Sequence, residues 1–498
     1  MHLSAASDPR SRDLLIPVVI AVIMALSLMA IAAPGLAALL VWWAGKGEIG
    51  TLGAVYGLDA ATEALPPVER ATLVALLGGG FLGLCAGFLW CVSRASRGLI
   101  GARALWVGAV LLGVGALLLP PGLSDDTLTY TARGELIVGL GINPYHFAPN
   151  KMDGWEANPL LAHDVWPGMR SAYGFTWAGV MAAVRWVVGP SLAMNVILYK
   201  VVGLAGHLTL LLLLWHLWPR EDPRGRVVTL ALMGLHPAAV IETAGMGHTE
   251  GLMMALWVGG ALSVVRGRAL MGGLLIGLAA GVKWVPLLGA PLMGLMLIRQ
   301  ERGVKRCVWF SLGVLAALAL PALPFEPLRQ ITWSGLRDQS HFVSGGSPAL
   351  MLALDLEWLF GVDNALGMGM AIMRGVGLVL ILLVWGFALR SRDAQSLWAG
   401  LMLTALIAAL LLSAYFHPWD TLWFLPWAVL ARRRMPVPAS AAIALSLAAV
   451  FQPLVPIATQ SYHVSSQLLM FLVWATPTAL VLALLAVRRS AFRMSWTQ

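Results

Sequence analysis

The chain has 498 residues, of which 59% are hydrophobic and 11% charged, with a net charge of +9 and a mean hydropathy of +0.81. Such a balance excludes an ordinary soluble domain and indicates a polytopic membrane protein. The positive charge is not a nucleic-acid footprint, because no basic cluster is interleaved with aromatics on a soluble segment.

Basic residues punctuate the apolar runs at Arg10 and Arg12, at Arg94, Arg97 and Arg103, and at Arg220, Arg224 and Arg226. They recur at Arg266 and Arg268, Arg299 to Arg306, Arg390 and Arg392, Arg432 to Arg434, and Arg488 to Arg493. These clusters hold two thirds of the 33 basic residues but a quarter of the 24 acids. The positive-inside rule makes them cytoplasmic and the acidic loops external, with both termini inside. Cys85, Cys91 and Cys307 lie in or beside apolar segments, and no disulfide framework follows.

The first apolar run, 14 to 43, is too long for a signal-peptide core and reads as a retained span kinked at Pro34-Gly35. Spans at 70 to 93 and 104 to 121 follow, the latter ended by Pro120-Pro121-Gly122. An outer loop over 122 to 173 is the longest in the chain, and the adjacent carboxylates Asp125 and Asp126 stand at its membrane surface. Two neighbouring acids repel unless a cation, proton or hydroxyl satisfies them, so they form either a solvated loop or a site. Arg133 and Glu135 read equally well as a surface pair. The apolar helix 174 to 189, interrupted by Arg185, is too short to cross and is read as re-entrant or interfacial. Residues 122–191 thus form one outer-loop unit.

Further spans are read at 192 to 218, 227 to 243, 249 to 265, 269 to 282, 285 to 298 and 307 to 323. A second outer loop region, 324–366, includes a surface helix near 350 to 360. The last spans run at 367 to 389, 395 to 414, 418 to 431, 437 to 456 and 467 to 487. That makes about 14 crossings in one integral membrane domain, several shorter than the roughly twenty residues a full crossing needs.

On this topology Glu242, His248, Glu250, Lys283, His417 and Asp420 approach the same face as Asp125 and Asp126. Convergent acids, bases and cations beside lipid are what an enzyme acting on a membrane-embedded anionic substrate needs. Each residue also has a plainer reading: Glu250 as a helix N-terminal charge, His248 as a solvated turn residue after Gly247, Lys283 as a snorkelling interface lysine.

SDD followed by Tyr130 and GLGINPYHFAP, with Asn143 and Tyr145, resembles the first outer loop of GT-C glycosyltransferases that use polyprenyl-phosphate sugars. The likeness is strongest to bacterial, mycobacterial-type α-mannopyranosyltransferases. SAYGFTW, with Tyr173, is similar to the family's S-x-YGP-x-W. HPAAVIETAGMGHTEGLM, AAGVKWVPLL and YFHPWDTLWFLPW follow in family order. Phe175, Met246 and Thr249-Glu250 depart from the pattern, and Thr131 to Glu135 stand where the family has a tryptophan-acid-glycine-arginine run.

The resemblance implies an all-α GT-C fold with interfacial or re-entrant helices in the outer loops. It implies inverting transfer of a hexose, expected to be mannose, from a polyprenyl-phosphate donor to a glycolipid or glycan hydroxyl at the outer face of the cytoplasmic membrane. Asp125 or Asp126 would be the base. Lys283, then Arg133, His248 and His417, would hold the phosphate, with Glu250, Tyr130, Asn143, Tyr145 and Tyr173 lining the site. A phosphate monoester leaving group can be held by protein cations alone, so no cofactor or obligatory metal follows, although a divalent ion is compatible. The competing class is a transporter or flippase of lipid-linked sugars, whose halves would repeat; no convincing internal repeat is found.

Overall fold

The computed structural model describes residues 67–120, 122–325, 365–413 and 415–455, with Met24, Ser27, Met29 and Ala475. The expected first span, most of the second outer loop with its surface helix, and the expected last span lie outside the described residues.

The described chain is helical, without strands. α1 (Pro67–Ser96) and α2 (Ala102–Ala116) lead to the short α3 (Asp126–Gly134), which continues as a π-helical turn over Glu135–Gly139. An irregular segment with three short 3-10 turns then reaches α4 (Phe175–Val188) and α5 (Leu192–Leu217). α6 (Pro223–Gly234), α7 (Pro237–Val240, extended by a π turn over Ile241–Gly245) and α8 (Glu250–Val265) follow. Next come α9 (Ala269–Val282), α10 (Pro286–Ile298) and α11 (Gly303–Ala319). α12 (Ala365–Ala388), α13 (Ala394–Ile407), α14 (Leu425–Ala431) and α15 (Pro436–Ala449) complete the described elements.

Among the described residues five helices are long and apolar enough to cross a membrane, or six if the bent pair α6 and α7 counts as one. Two expected spans change character. Residues 227 to 243 are broken by a 56° bend, because Pro237 supplies no amide hydrogen and forces His236 into extended backbone (φ −66°, ψ 122°). Residues 418 to 431 are a 3-10 turn over Pro418–Trp423 followed by the seven-residue α14, too short to span. Pro418 and Pro426 each open one of these pieces and break the run between them. α4, at 14 residues, is about 21 Å long, short of a bilayer core.

Small residues let the helices meet backbone to backbone, which is how apolar helices associate where no hydrophobic drive exists between them. α9 lies against α11 with Gly273 facing the Phe310 carbonyl and Gly313 facing that of Leu270. α5 meets α7 and α8 at Gly203 and Gly206. Gly174 sits on the Gly281 carbonyl, and its amide donates to Val282 (3.3 Å), seating the end of the long loop on the end of α9. The core includes five fully buried tryptophans, Trp177, Trp257, Trp398, Trp423 and Trp427.

Among the described residues, the basic clusters at Arg224 to Arg226 and Arg432 to Arg434 meet at one end. Arg226 covers the Trp215 ring at 3.9 Å and Arg432 the Trp218 ring at 3.7 Å. Arg432 donates to the Gly225 carbonyl at 2.6 Å, and Arg434 pairs with Asp393 at 3.5 Å. From here to Tyr199, which touches the long loop, is about 27 Å along α5, close to the thickness of a bilayer core. The acidic loop and the basic clusters therefore stand at opposite ends of the bundle.

Gly273→Ala should lower stability by about 1–3 kcal/mol, since the new methyl meets a carbonyl that cannot move without its helix. Gly101→Ala, with nothing within 4 Å of the added carbon, should not. Thermal unfolding of the two purified variants in detergent compares them.

Candidate active site

Asp126 is the first helical residue of α3 and Asp125 its N-cap, the latter without a side-chain capping hydrogen bond. A carboxylate here meets the positive end of the helix dipole. The loop before it is tethered by Lys200, a buried lysine of α5 whose ammonium donates to the Leu119 carbonyl. One helical turn on, Tyr130 donates its hydroxyl to Asp126 Oδ2 at 3.1 Å, and Tyr173 donates to the same oxygen at 3.3 Å. His248 Nδ1 lies 3.4 Å from Oδ2. Burial opposes ionisation of Asp126, but the hydrogen bond and charge of His248, the charge of Lys283 and the Tyr130 hydroxyl outweigh it and hold the carboxyl below its ordinary range. Burial and the charge of Asp126 push both phenols well above theirs, so they remain donors.

His248 stands on the turn between α7 and α8, where Gly247 takes φ +71°, a left-handed conformation that suits glycine. Its amide donates to the Glu242 carbonyl at 2.9 Å, and its Nε2 lies 3.3 Å from Glu242 Oε2. The ring stacks on Trp419 at 4.2 Å, and His417 stacks on Trp419 at the same distance.

Lys283, at the end of α9, completes the cluster. It donates to Glu250 Oε1 at 2.7 Å and to Asp420 Oδ1 at 3.5 Å, with its ammonium 4.9 Å from the Trp423 ring centre. Trp423 Nε1 and Thr249 Oγ1 also donate to Glu250, at 3.3 and 3.1 Å. Asp420 Oδ2 accepts the His417 amide at 2.9 Å. Of the four carboxylates gathered here, the Asp126 side chain is 23% exposed, against 6% for Glu242, 1% for Glu250 and none for Asp420. Asp126, Tyr173, Lys283 and His417 are partly exposed and form a mouth; Glu242, His248, Glu250 and Asp420 are buried and form its floor.

Three residues expected in the site have other partners. Arg133 is buried, paired with Asp164, and donates to the carbonyls of Trp166 (3.1 Å) and Met169 (2.8 Å), so it holds the long loop. It does not pair with Glu135, which instead binds Arg185 of α4 at 2.5 Å. Asn143 donates to the Phe325 carbonyl at 2.5 Å and accepts the Tyr145 amide at 2.9 Å. Tyr145 donates to the Tyr173 carbonyl at 2.8 Å and packs on Phe175. These two brace the segment that carries Tyr173.

Sequence reasoning passed over Lys200 and Tyr199, and it read the tryptophans around Trp419 and Trp423 as an interfacial belt, outside the site. Lys200 had a signal, an ionisable residue within an apolar span. Tyr199, whose hydroxyl donates to the Tyr130 carbonyl at 3.2 Å, had none. Among the described residues no three or more His, Cys, Asp and Glu side chains are grouped to hold a metal ion.

The family described as alpha-(1->6)-mannopyranosyltransferase, N-terminal domain, matches residues 29–299. An alpha-(1->6)-mannopyranosyltransferase A of Mycobacterium tuberculosis is 27% identical over 380 residues, 70% of this chain and 68% of that protein. The protein of the same name from Corynebacterium glutamicum is 27% identical over 180 residues, 34% of each chain.

Arg133→Met leaves Asp164 buried without its cation and should cost about 3–5 kcal/mol of stability, as breaking one side of a buried ion pair does. The double variant Arg133→Met/Asp164→Asn should recover part of the loss. Thermal unfolding of the three proteins measures both effects.

Proposed function

Because the chain belongs to the alpha-(1->6)-mannopyranosyltransferase family, we propose that it transfers a mannosyl group from a polyprenyl-phosphate donor to a glycolipid or glycan hydroxyl, with inversion, at the outer face of the cytoplasmic membrane. The observation that carries this reading is Asp126: a carboxylate held ionised at a partly exposed mouth that also contains Lys283, above a floor of buried acids. The acidic mouth stands at the end of the bundle away from the basic clusters, which supports an outer-face reaction by the positive-inside rule.

In the proposed step Asp126 takes the acceptor hydroxyl's proton as the acceptor oxygen bonds to the anomeric carbon. The bond from that carbon to the phosphate oxygen breaks, and its electron pair leaves on the lipid phosphate. Inversion follows when acceptor and phosphate occupy opposite faces of the sugar. Among the described contacts, Tyr130, Tyr173 and His248 all address Oδ2, which leaves Oδ1 to receive the proton.

Lys283 is the proposed partner of the leaving phosphate. Its ammonium carries three hydrogens; Glu250 and Asp420 receive two, and the third is available to an anion entering at the mouth. His417, partly exposed beside it, is the second candidate. Arg133, committed to Asp164 and two carbonyls, acts on this reading by holding the loop. The reading takes Asp126 as the base because the Tyr130 and Tyr173 hydroxyls donate to its carboxylate and keep it charged.

Purified protein supplied with polyprenyl-phosphate carrying radiolabelled mannose should mannosylate a membrane acceptor pool. Asp126→Asn should reduce turnover roughly 10²- to 10⁴-fold, the share a positioned general base supplies, while Asp125→Asn should cost less. The opposite ranking would move the base to Asp125. If no lipid-linked sugar supports transfer, the transferase reading is wrong and transport of lipid-linked sugars becomes the better account.

A further inference from the structure

Glu242 and His248 are buried ionisable groups; Glu242 has no part in the transfer step as described so far, and His248 enters it only through Asp126 Oδ2. Their geometry is specific. Both ring nitrogens of His248 face carboxylates, Nδ1 towards Asp126 Oδ2 at 3.4 Å and Nε2 towards Glu242 Oε2 at 3.3 Å. With both carboxylates ionised each can only accept, and the imidazole between them then carries hydrogen on both nitrogens. The ring is 1% exposed, has one face on Trp419, and is fixed to Glu242 a second time by its own amide. A phosphate arriving at the mouth meets neither nitrogen.

We infer that His248 and Glu242 are a positioning dyad for Asp126: Glu242 holds His248 as an imidazolium, and the imidazolium orients Asp126 Oδ2 and keeps it ionised, without touching the donor phosphate. The inference rests on the reading of Asp126 as the base. The other groups acting on the ring are Glu250 of α8, itself bound by Lys283, and His417 across Trp419. Tyr130 and Tyr173 meet the same Asp126 oxygen as the imidazolium does.

The proton count closes across the reaction. Asp126 gains the acceptor's proton at Oδ1 and becomes neutral; the sugar passes to the acceptor oxygen and the lipid phosphate gains the electron pair. His248 then keeps Glu242 as its counter-charge, so the dyad gives up no proton in the step. Asp126 releases its proton to solvent at the mouth before the next turnover. The arrangement explains why a glutamate lies beneath the histidine, away from any substrate.

Glu242→Gln preserves shape and removes the charge. It should lower kcat about 10- to 100-fold, part of what the base itself supplies, and leave the donor KM unchanged. Because Asp126 is held below its ordinary range, the wild-type acid limb of kcat lies low; with the imidazolium lost, it should move to higher pH. A raised donor KM with kcat and the acid limb unchanged would overturn the dyad and make His248 a phosphate ligand. A readout free of substrate accompanies the kinetics: ¹⁵N-histidine spectra, with His248→Gln identifying the resonance. Two protonated nitrogens at neutral pH in the wild type, and a neutral ring in Glu242→Gln, support the dyad; a neutral ring in the wild type overturns it. A wild type with the imidazolium but no activity on any lipid-linked sugar supports the charged pair and removes the transferase reading instead.

Discussion

A charge inside a membrane protein is tolerated when another charge or a set of hydrogen bonds answers it, and that demand organises this molecule. Asp126, Glu242, Glu250 and Asp420 come from three different stretches of the chain, yet His248 answers the first two and Lys283 the last two. Removing solvent from any of them alone would cost several kcal/mol. Together, each carboxylate has a lysine or a histidine within reach, and two tyrosines, Tyr130 buried and Tyr173 partly exposed, add donors to the one that faces water. Asp126 is the carboxylate of the four that keeps the most exposure, which is why the proposed chemistry is placed on it.

The network depends on backbones that approach unusually closely. Glycine at 174 lets the end of the long loop rest on the carbonyl at the tip of α9, next to Tyr173, whose hydroxyl reaches Asp126. Gly203 and Gly206 let α5 come down on α7 and α8, so that Lys200 braces the segment leading to Asp126 and Tyr199 the helix that begins with it. The broken span at His236-Pro237 diverts α7 into the π turn that carries Glu242. Proline and glycine here supply position, and the ionisable groups supply chemistry.

The long loop is held by its own interior rather than by its length. Arg133 with Asp164, and Glu135 with Arg185, pin it at two places, while Asn143 and Tyr145 fasten the stretch before Tyr173. For the proposed transfer such stiffness is an advantage, since a base misplaced by an ångström loses most of its effect.

Much of this was legible in the residues. Composition dictated a multi-pass helical bundle, because no soluble chain hides so much apolar surface. Charge asymmetry sorted its two ends, because the basic clusters and the acidic loops alternate along the chain. Asp126, His248, Glu250, Lys283 and His417 announced themselves as ionisable groups beside apolar runs, and such groups must find partners. What the chain could not tell was which partners. Arg133 and Glu135 are two residues apart and look like a pair, yet helical geometry sends them to Asp164 and Arg185, 31 and 50 residues away. Asp125 and Asp126 are chemically identical in sequence; only the start of α3 between them, and the tyrosines and histidine that other helices bring, make one of them the buttressed carboxylate. Local composition determines which groups need an answer, whereas side-chain direction and long-range packing decide who answers, and those exist only once the helices have met.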